Sequence, residues 1–137
     1  MCSSDLPKAA AMLADAELNM SAAFGVPVTS PEPDELLHAG DVTCIGSSQW
    51  QILDTAGHTP GGVSYYCSDA SAVLTGDALF CGGIGRTDIP AGREDLLLKN
   101  IHEQLLVLPD QTRVLPGHGP PTTIGSERRT NPFVGAQ

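Results

Sequence analysis

Three residues of metal-ligating type stand in glycine-bearing loops, and their placement carries more information than their number. His58 lies in Thr55-Ala56-Gly57-His58-Thr59-Pro60-Gly61-Gly62, Asp77 in Leu74-Thr75-Gly76-Asp77, and His118 in Pro116-Gly117-His118-Gly119-Pro120. Each directly follows a glycine, which lets the backbone turn sharply and aim the next side chain off the end of a strand. Two imidazoles and a carboxylate suit zinc or iron, since both accept nitrogen and hard oxygen donors. Taken singly, each also reads as an ordinary turn residue. Shared placement at strand ends raises the ligand reading without excluding the other.

The elements that must position these loops can be read from periodicity. Residues Lys8 to Met20 have helical spacing, with Ala9, Met12, Leu13 and Ala16 near one face. Phe24 to Pro33 is extended, because Gly25-Val26-Pro27-Val28 cannot stay helical past the proline. Asp34 to Leu37 is expected to form a brief helical turn, and Ala39-Gly40-Asp41 turns into a strand. Strands are predicted at Val42–Ile45, Trp50–Thr55, Val63–Cys67, Ala72–Thr75 and Thr112–Leu115. Between the last two, Leu97, Ile101, Leu105 and Leu108 mark an amphipathic helix over Glu94–Leu108, stopped by Pro109-Asp110. Strands followed by a helix and a further strand imply a layered α/β sandwich whose loops carry the chemistry. His38, in a polar turn, and His102, one step off the apolar stripe, are expected to be solvated.

Composition narrows the function classes. The chain has 137 residues, enough for one compact domain with a modest core. Apolar residues make up 41%, which argues against disorder. The formal charge of −9, from 7 basic and 16 acidic residues, repels phosphate backbones, so no nucleic-acid partner is expected. A small anionic substrate stays open, because a bound metal inverts the local field. Cys2, Cys44, Cys67 and Cys81 form no Cys-x-x-Cys pair and read as free thiols. No apolar run approaches the roughly 20 residues of a membrane helix, and the N-terminus carries no secretory pattern; a cytoplasmic protein with no membrane partner is the expectation.

At the ligand loops a family resemblance appears. Gly57-His58-Thr59-Pro60-Gly61, Thr75-Gly76-Asp77-Ala78-Leu79-Phe80 and Pro116-Gly117-His118-Gly119 resemble successive metal motifs of the metallo-β-lactamase superfamily. The runs Gly82-Gly83-Ile84-Gly85-Arg86-Thr87-Asp88 and Thr122-Thr123-Ile124-Gly125-Ser126-Glu127-Arg128, with Asn131-Pro132-Phe133, are similar to its small glyoxalase II-like branch. The likeness spans about Asn19 to Phe133, giving an atypical segment at 1–18, a partial domain at 19–134 and a tail at 135–137. It implies the C-terminal half of an αββα sandwich with a site for two zinc ions, iron or manganese being alternatives. His58 would bind the first metal and His118 the second, with Asp77 bridging both as the catalytic carboxylate. The implied reaction is attack of a metal-activated water on a small-molecule thioester of the hydroxyacyl-glutathione kind. Phe80 and Arg86 would line the substrate pocket, although Arg86 beside Asp88 also reads as an internal ion pair that shapes its loop.

The family's opening His-x-His-x-Asp-His motif does not occur in these 137 residues. The chain is expected to begin just beyond it, so that a missing N-terminal half would complete the site; a homo-oligomer is the other partner expected. Weak metal binding and negligible turnover are expected of the chain alone. Rival readings are an iron-dependent persulfide dioxygenase using the same three ligands, and a non-catalytic half-domain.

Overall fold

Strand direction decides where the ligand loops fall. The computed structural model describes residues 4, 5 and 7–136, so Cys2 and parts of the expected N-terminal segment and tail lie outside the described residues. In chain order the elements are β1 (Ser4–Asp5), α1 (Pro7–Ala14), a 3-10 turn (Ala22–Phe24), β2 (Glu35–Leu36), β3 (Val42–Ile45), β4 (Ser48–Asp54), β5 (Val63–Cys67) and β6 (Ala72–Gly76). There follow β7 (Leu79–Phe80), β8 (Gly83–Ile84), α2 (Glu94–Asn100) continued by a π-helical turn (Ile101–Leu105), β9 (Arg113–Pro116), β10 (Thr122–Thr123) and α3 (Ile124–Thr130).

Six strands form a mixed sheet in the order β10-β9-β6-β5-β4-β3. β3 through β6 are joined antiparallel, β9 lies parallel to β6, and β10 returns antiparallel. β4, β6 and β9 therefore all run the same way, and the loops after them open at one end of the sheet. Open α/β sheets bind ligands at the carboxyl ends of such strands.

The core forms where the sheet meets the helices. Leu53, Val73 and Val114 cluster with Leu97, Ile101, Leu105 and Ile124, each 7% exposed or less. Burying a Leu- or Ile-sized side chain contributes about 1.5–3 kcal/mol, so the Leu97–Ile101–Leu105 stripe clamps the helical layer to the sheet.

Three expectations need correction. Asp34 to Leu37 is not a helical turn; Glu35–Leu36 pairs as a short strand with Ser4–Asp5, since the backbone donors of a segment after Pro33 are better met by a ladder. The first helix ends at Ala14 rather than Met20. Asp15 stops it by accepting from the backbone amides of Glu17 (2.9 Å) and Leu18 (3.2 Å), the local competition that short acidic side chains offer a helix. The second helix loses α-geometry at Ile101, where it widens to a π turn that still buries Ile101 and Leu105. α3 was read only as a motif; the signal for it was Thr123, whose hydroxyl caps the helix by accepting from Ser126 N at 3.2 Å.

Candidate metal centre

The loop after β4 carries His58 and is fixed by its neighbours before any ligand enters. Arg93 N donates to Gly57 O at 2.7 Å, and Asn100 Nδ2 donates to Ala56 O at 3.0 Å, so the helical layer holds the loop's backbone. Asp77 follows a β-bulge in β6 between Leu74 and Gly76, and Gly76 has a φ of 50°, the left-handed region that glycine tolerates. Gly117 N donates to Gly76 O at 2.8 Å, which draws the His118 loop onto the Asp77 loop. At Gly117 the need is for space: a Cβ there would lie 2.8 Å from Asp77 Oδ1.

The three side chains converge. His58 Nε2 lies 3.5 Å from Asp77 Oδ2, and His118 Nδ1 lies 2.8 Å from Asp77 Oδ1. Each carboxylate oxygen thus faces a different imidazole. His58 Nδ1–H donates to the backbone carbonyl of Arg86 at 2.7 Å, which in the neutral ring leaves the Nε2 lone pair turned toward Asp77. The His58 side chain is 21% exposed, whereas that of His118 is 76% exposed. Phe80 meets the His118 ring edge-on, with centroids 5.9 Å apart at 80°.

Two cavities share His58 and Thr59. The smaller, about 210 Å³, reaches Asp77, Thr55 and Thr75. The larger, about 380 Å³, is lined by Met12, Leu18, Phe24, Arg86 and Ile89. Arg86 lines that cavity, but its guanidinium grips Asp88 in a two-pronged pair at 2.9 and 3.0 Å. The pair raises the Arg86 pKa, through that hydrogen bond first, and lowers that of Asp88. Phe80 stands on the opposite flank, against His118. The site contact that residue types could not reveal is the Arg86 backbone carbonyl, since any residue supplies one. His38 and His102 are exposed, with His38 beside Asp41 rather than Asp77, and Cys44 and Cys81 are exposed free thiols while Cys67 is buried.

A profile of the metallo-beta-lactamase superfamily matches residues 6–118. The chain belongs to that superfamily. It is 49% identical over 123 residues to a probable metallo-hydrolase, YqgX, of Bacillus subtilis, covering 89% of the chain and 58% of the relative. It is 39% identical over 116 residues to the hydroxyacylglutathione hydrolase GloC of Haemophilus influenzae, covering 83% and 55%. Among solved structures, the B3 metallo-beta-lactamase BLEG-1 superposes with a TM-score of 0.90 at 41% identity, over 96% of this chain and 64% of that one. The di-iron-bound form of TTHA1623 superposes with a TM-score of 0.84 at 36% identity, over 97% and 65%. The chain therefore spans a little over half the length of these curated relatives, and its α/β sandwich with a mixed sheet is that of the metallo-beta-lactamase fold.

Members of this superfamily bind metal ions, and the residues here fit one in part. Two ligands on a tetrahedral zinc stand roughly 3.4 Å apart, given metal–donor lengths of about 2.0–2.1 Å. The 3.5 Å between His58 Nε2 and Asp77 Oδ2 is such a spacing. The 2.8 Å between His118 and Asp77 is a direct hydrogen bond, so that flank would have to open before it could ligate. Each flank also offers one imidazole and one carboxylate oxygen, two donors where a catalytic zinc takes three from protein. That shortfall accounts for the finding that, among the described residues, no group of three or more His, Cys, Asp or Glu is set to hold one metal ion. Among the described residues no helix is long and apolar enough to cross a membrane.

Proposed function

We propose that this chain supplies the bridging half of a dinuclear metal site that hydrolyses a small-molecule thioester of the hydroxyacyl-glutathione kind. The observation that carries the reading is Asp77 set between His58 and His118 with one oxygen toward each. The likeness to GloC supports the thioester substrate. His58, Asp77 and His118 would hold the metal, zinc in the preferred reading, which when bound lowers the pKa of water toward about 7 and polarises an acyl carbonyl.

The chain's own residues define the rest of the chemistry. The Arg86 carbonyl fixes the tautomer and tilt of His58, an outer-shell role that keeps a ligand aimed. The Asp77 edge that remains open to solvent accepts a hydrogen bond from an incoming water and orients its lone pair. Phe80 walls the His118 side with an apolar ring, and the cavity from His58 toward Met12 and Ile89 seats the substrate's bulk. A complementary half of the fold would supply the missing donors; alone, the chain binds metal weakly and turns over negligibly.

A chimera tests this reading: residues 7–136 replace the matching segment of YqgX, and the product is assayed with zinc or iron. Zinc-dependent thioester hydrolysis that disappears on Asp77→Ala is expected. Iron retention with oxygen uptake on a persulfide would overturn it in favour of a dioxygenase, a reading to which the di-iron form of TTHA1623 lends the metal. No reaction with either substrate would leave a non-catalytic role.

A further inference from the structure

The Thr122–Arg128 run contains a buried acid that the site described so far does not use. Glu127 is 2% exposed. Its Oε1 accepts from Thr122 Oγ1 at 2.7 Å, and its Oε2 accepts from Gly82 N at 3.0 Å and from Asn131 Nδ2 at 2.8 Å. Asn131, also 2% exposed, donates in addition to Gly83 O at 3.1 Å. The neighbouring arginines give Glu127 no counter-charge, because Arg128 and Arg129 both turn to Asp110. An apolar side chain of similar volume would fill this space without the desolvation cost of a carboxyl group. What it could not do is hold the Gly82 amide.

Those bonds join two segments that leave the metal centre. Gly82 lies in the two-residue tip of the β7–β8 hairpin and Gly83 opens β8; the hairpin begins two residues after Asp77, and Thr122 lies in β10, which continues the His118 loop. The hairpin's base has its own anchors: Thr75 Oγ1 donates to Leu79 O at 2.8 Å, and Gly85 N donates to Ala78 O at 3.1 Å. Only the tip depends on Glu127. Phe80 pairs with Gly83 in that hairpin and carries the ring that meets His118.

We infer that Glu127 is a positioning residue for the metal centre, holding the hairpin tip so that Phe80 keeps the His118 ring against Asp77. The inference rests on the reading of His58, Asp77 and His118 as the site, but its test uses neither metal nor substrate, so the two can fail separately. NMR of the 137-residue chain would follow the Phe80–His118 ring NOE and the His118 imidazole nitrogens, with the Val73 and Val114 amides reporting the core. In Glu127→Ala the ring NOE is lost and the His118 nitrogens move to solvent-averaged shifts while the core amides stay. Glu127→Gln restores both, because its amide oxygen can take the Gly82 and Asn131 donors while its NH2 faces the Thr122 hydroxyl. Should Glu127→Ala not fold, Thr122→Val gives the same readout, with a smaller shift of His118 in the same direction. Wild-type His118 signals in folded Glu127→Ala, or in Thr122→Val where the alanine variant does not fold, would overturn the inference.

Discussion

The two flanks of Asp77 are built differently. On one side His58 is largely enclosed, its Nδ1 anchored by the Arg86 carbonyl and its Nε2 held 3.5 Å from the carboxylate. On the other, His118 is mostly in solvent and is held by Asp77 itself at 2.8 Å and by the edge of Phe80. On the proposed reading the first flank is organised before a cation arrives, and the second would have to give up a hydrogen bond to accept one. Preorganised ligands lose less on binding, so the His58 flank should load first.

The most damaging change to this asymmetry is expected at Gly85. A Cβ there would lie 1.8 Å from the Asp77 carbonyl oxygen and 3.2 Å from His58 Cβ, and the Asp77 backbone cannot yield cheaply. Gly85→Ala should lower stability by about 1–3 kcal/mol or more, as overpacking does, read from chemical denaturation. Gly117→Ala, whose Cβ would press on the Asp77 side chain at 2.8 Å, should cost less, because a side chain can move aside. Equal losses would mean that the two flanks are equally rigid.

Next in size is the effect on metal affinity. In the YqgX chimera, His58→Ala should weaken zinc binding in a chelator competition by more than the roughly 10–100-fold typical of losing an outer-shell partner, and His118→Ala should weaken it less. The reverse order would break the comparison.

The smallest effect is expected at Arg86, whose contribution to the flank is a main-chain atom. Arg86→Ala should leave His58 anchored and zinc affinity unchanged within the error of the same competition. Its side chain acts on Asp88: the guanidinium's hydrogen bond holds that carboxyl below the usual carboxylate range. A depressed folded-state pKa adds stability above the unfolded pKa and loses it as pH falls through the folded value. Arg86→Ala should therefore raise the Asp88 titration midpoint, seen by carboxyl ¹³C NMR, with little change in melting at neutral pH because the pair is exposed.

Much of this was legible in the residues. The longer strands β3, β4, β5, β6 and β9 follow alternation and turn residues closely, whereas the two-residue β7 and β8 do not show in the pattern, and the Leu97–Ile101–Leu105 stripe marks the helical layer despite its π turn. The candidate loops stood out because glycine, histidine and aspartate at strand ends are distinctive, whereas their meeting at one sheet end depends on β9 lying parallel beside β6, a non-local pairing. Glu35–Leu36 escaped because two-residue strands have no period to detect. The His58 anchor escaped because it is a backbone carbonyl, and Glu127 because a glutamate four residues past a capping threonine gives no sign of burial until Gly82 is placed beside it.

The chain's four histidines allow one direct trial of the central claim. Cobalt(II) titrated into the protein, with all imidazole resonances followed by NMR, should shift and broaden His58 first and His118 next, and should do so in the wild type only, not in Asp77→Ala. His38 and His102, exposed and outside the cluster, should respond only at much higher cobalt. If His38 or His102 responded at the same concentration, or if Asp77→Ala left the titration unchanged, the three residues would not form a common metal centre.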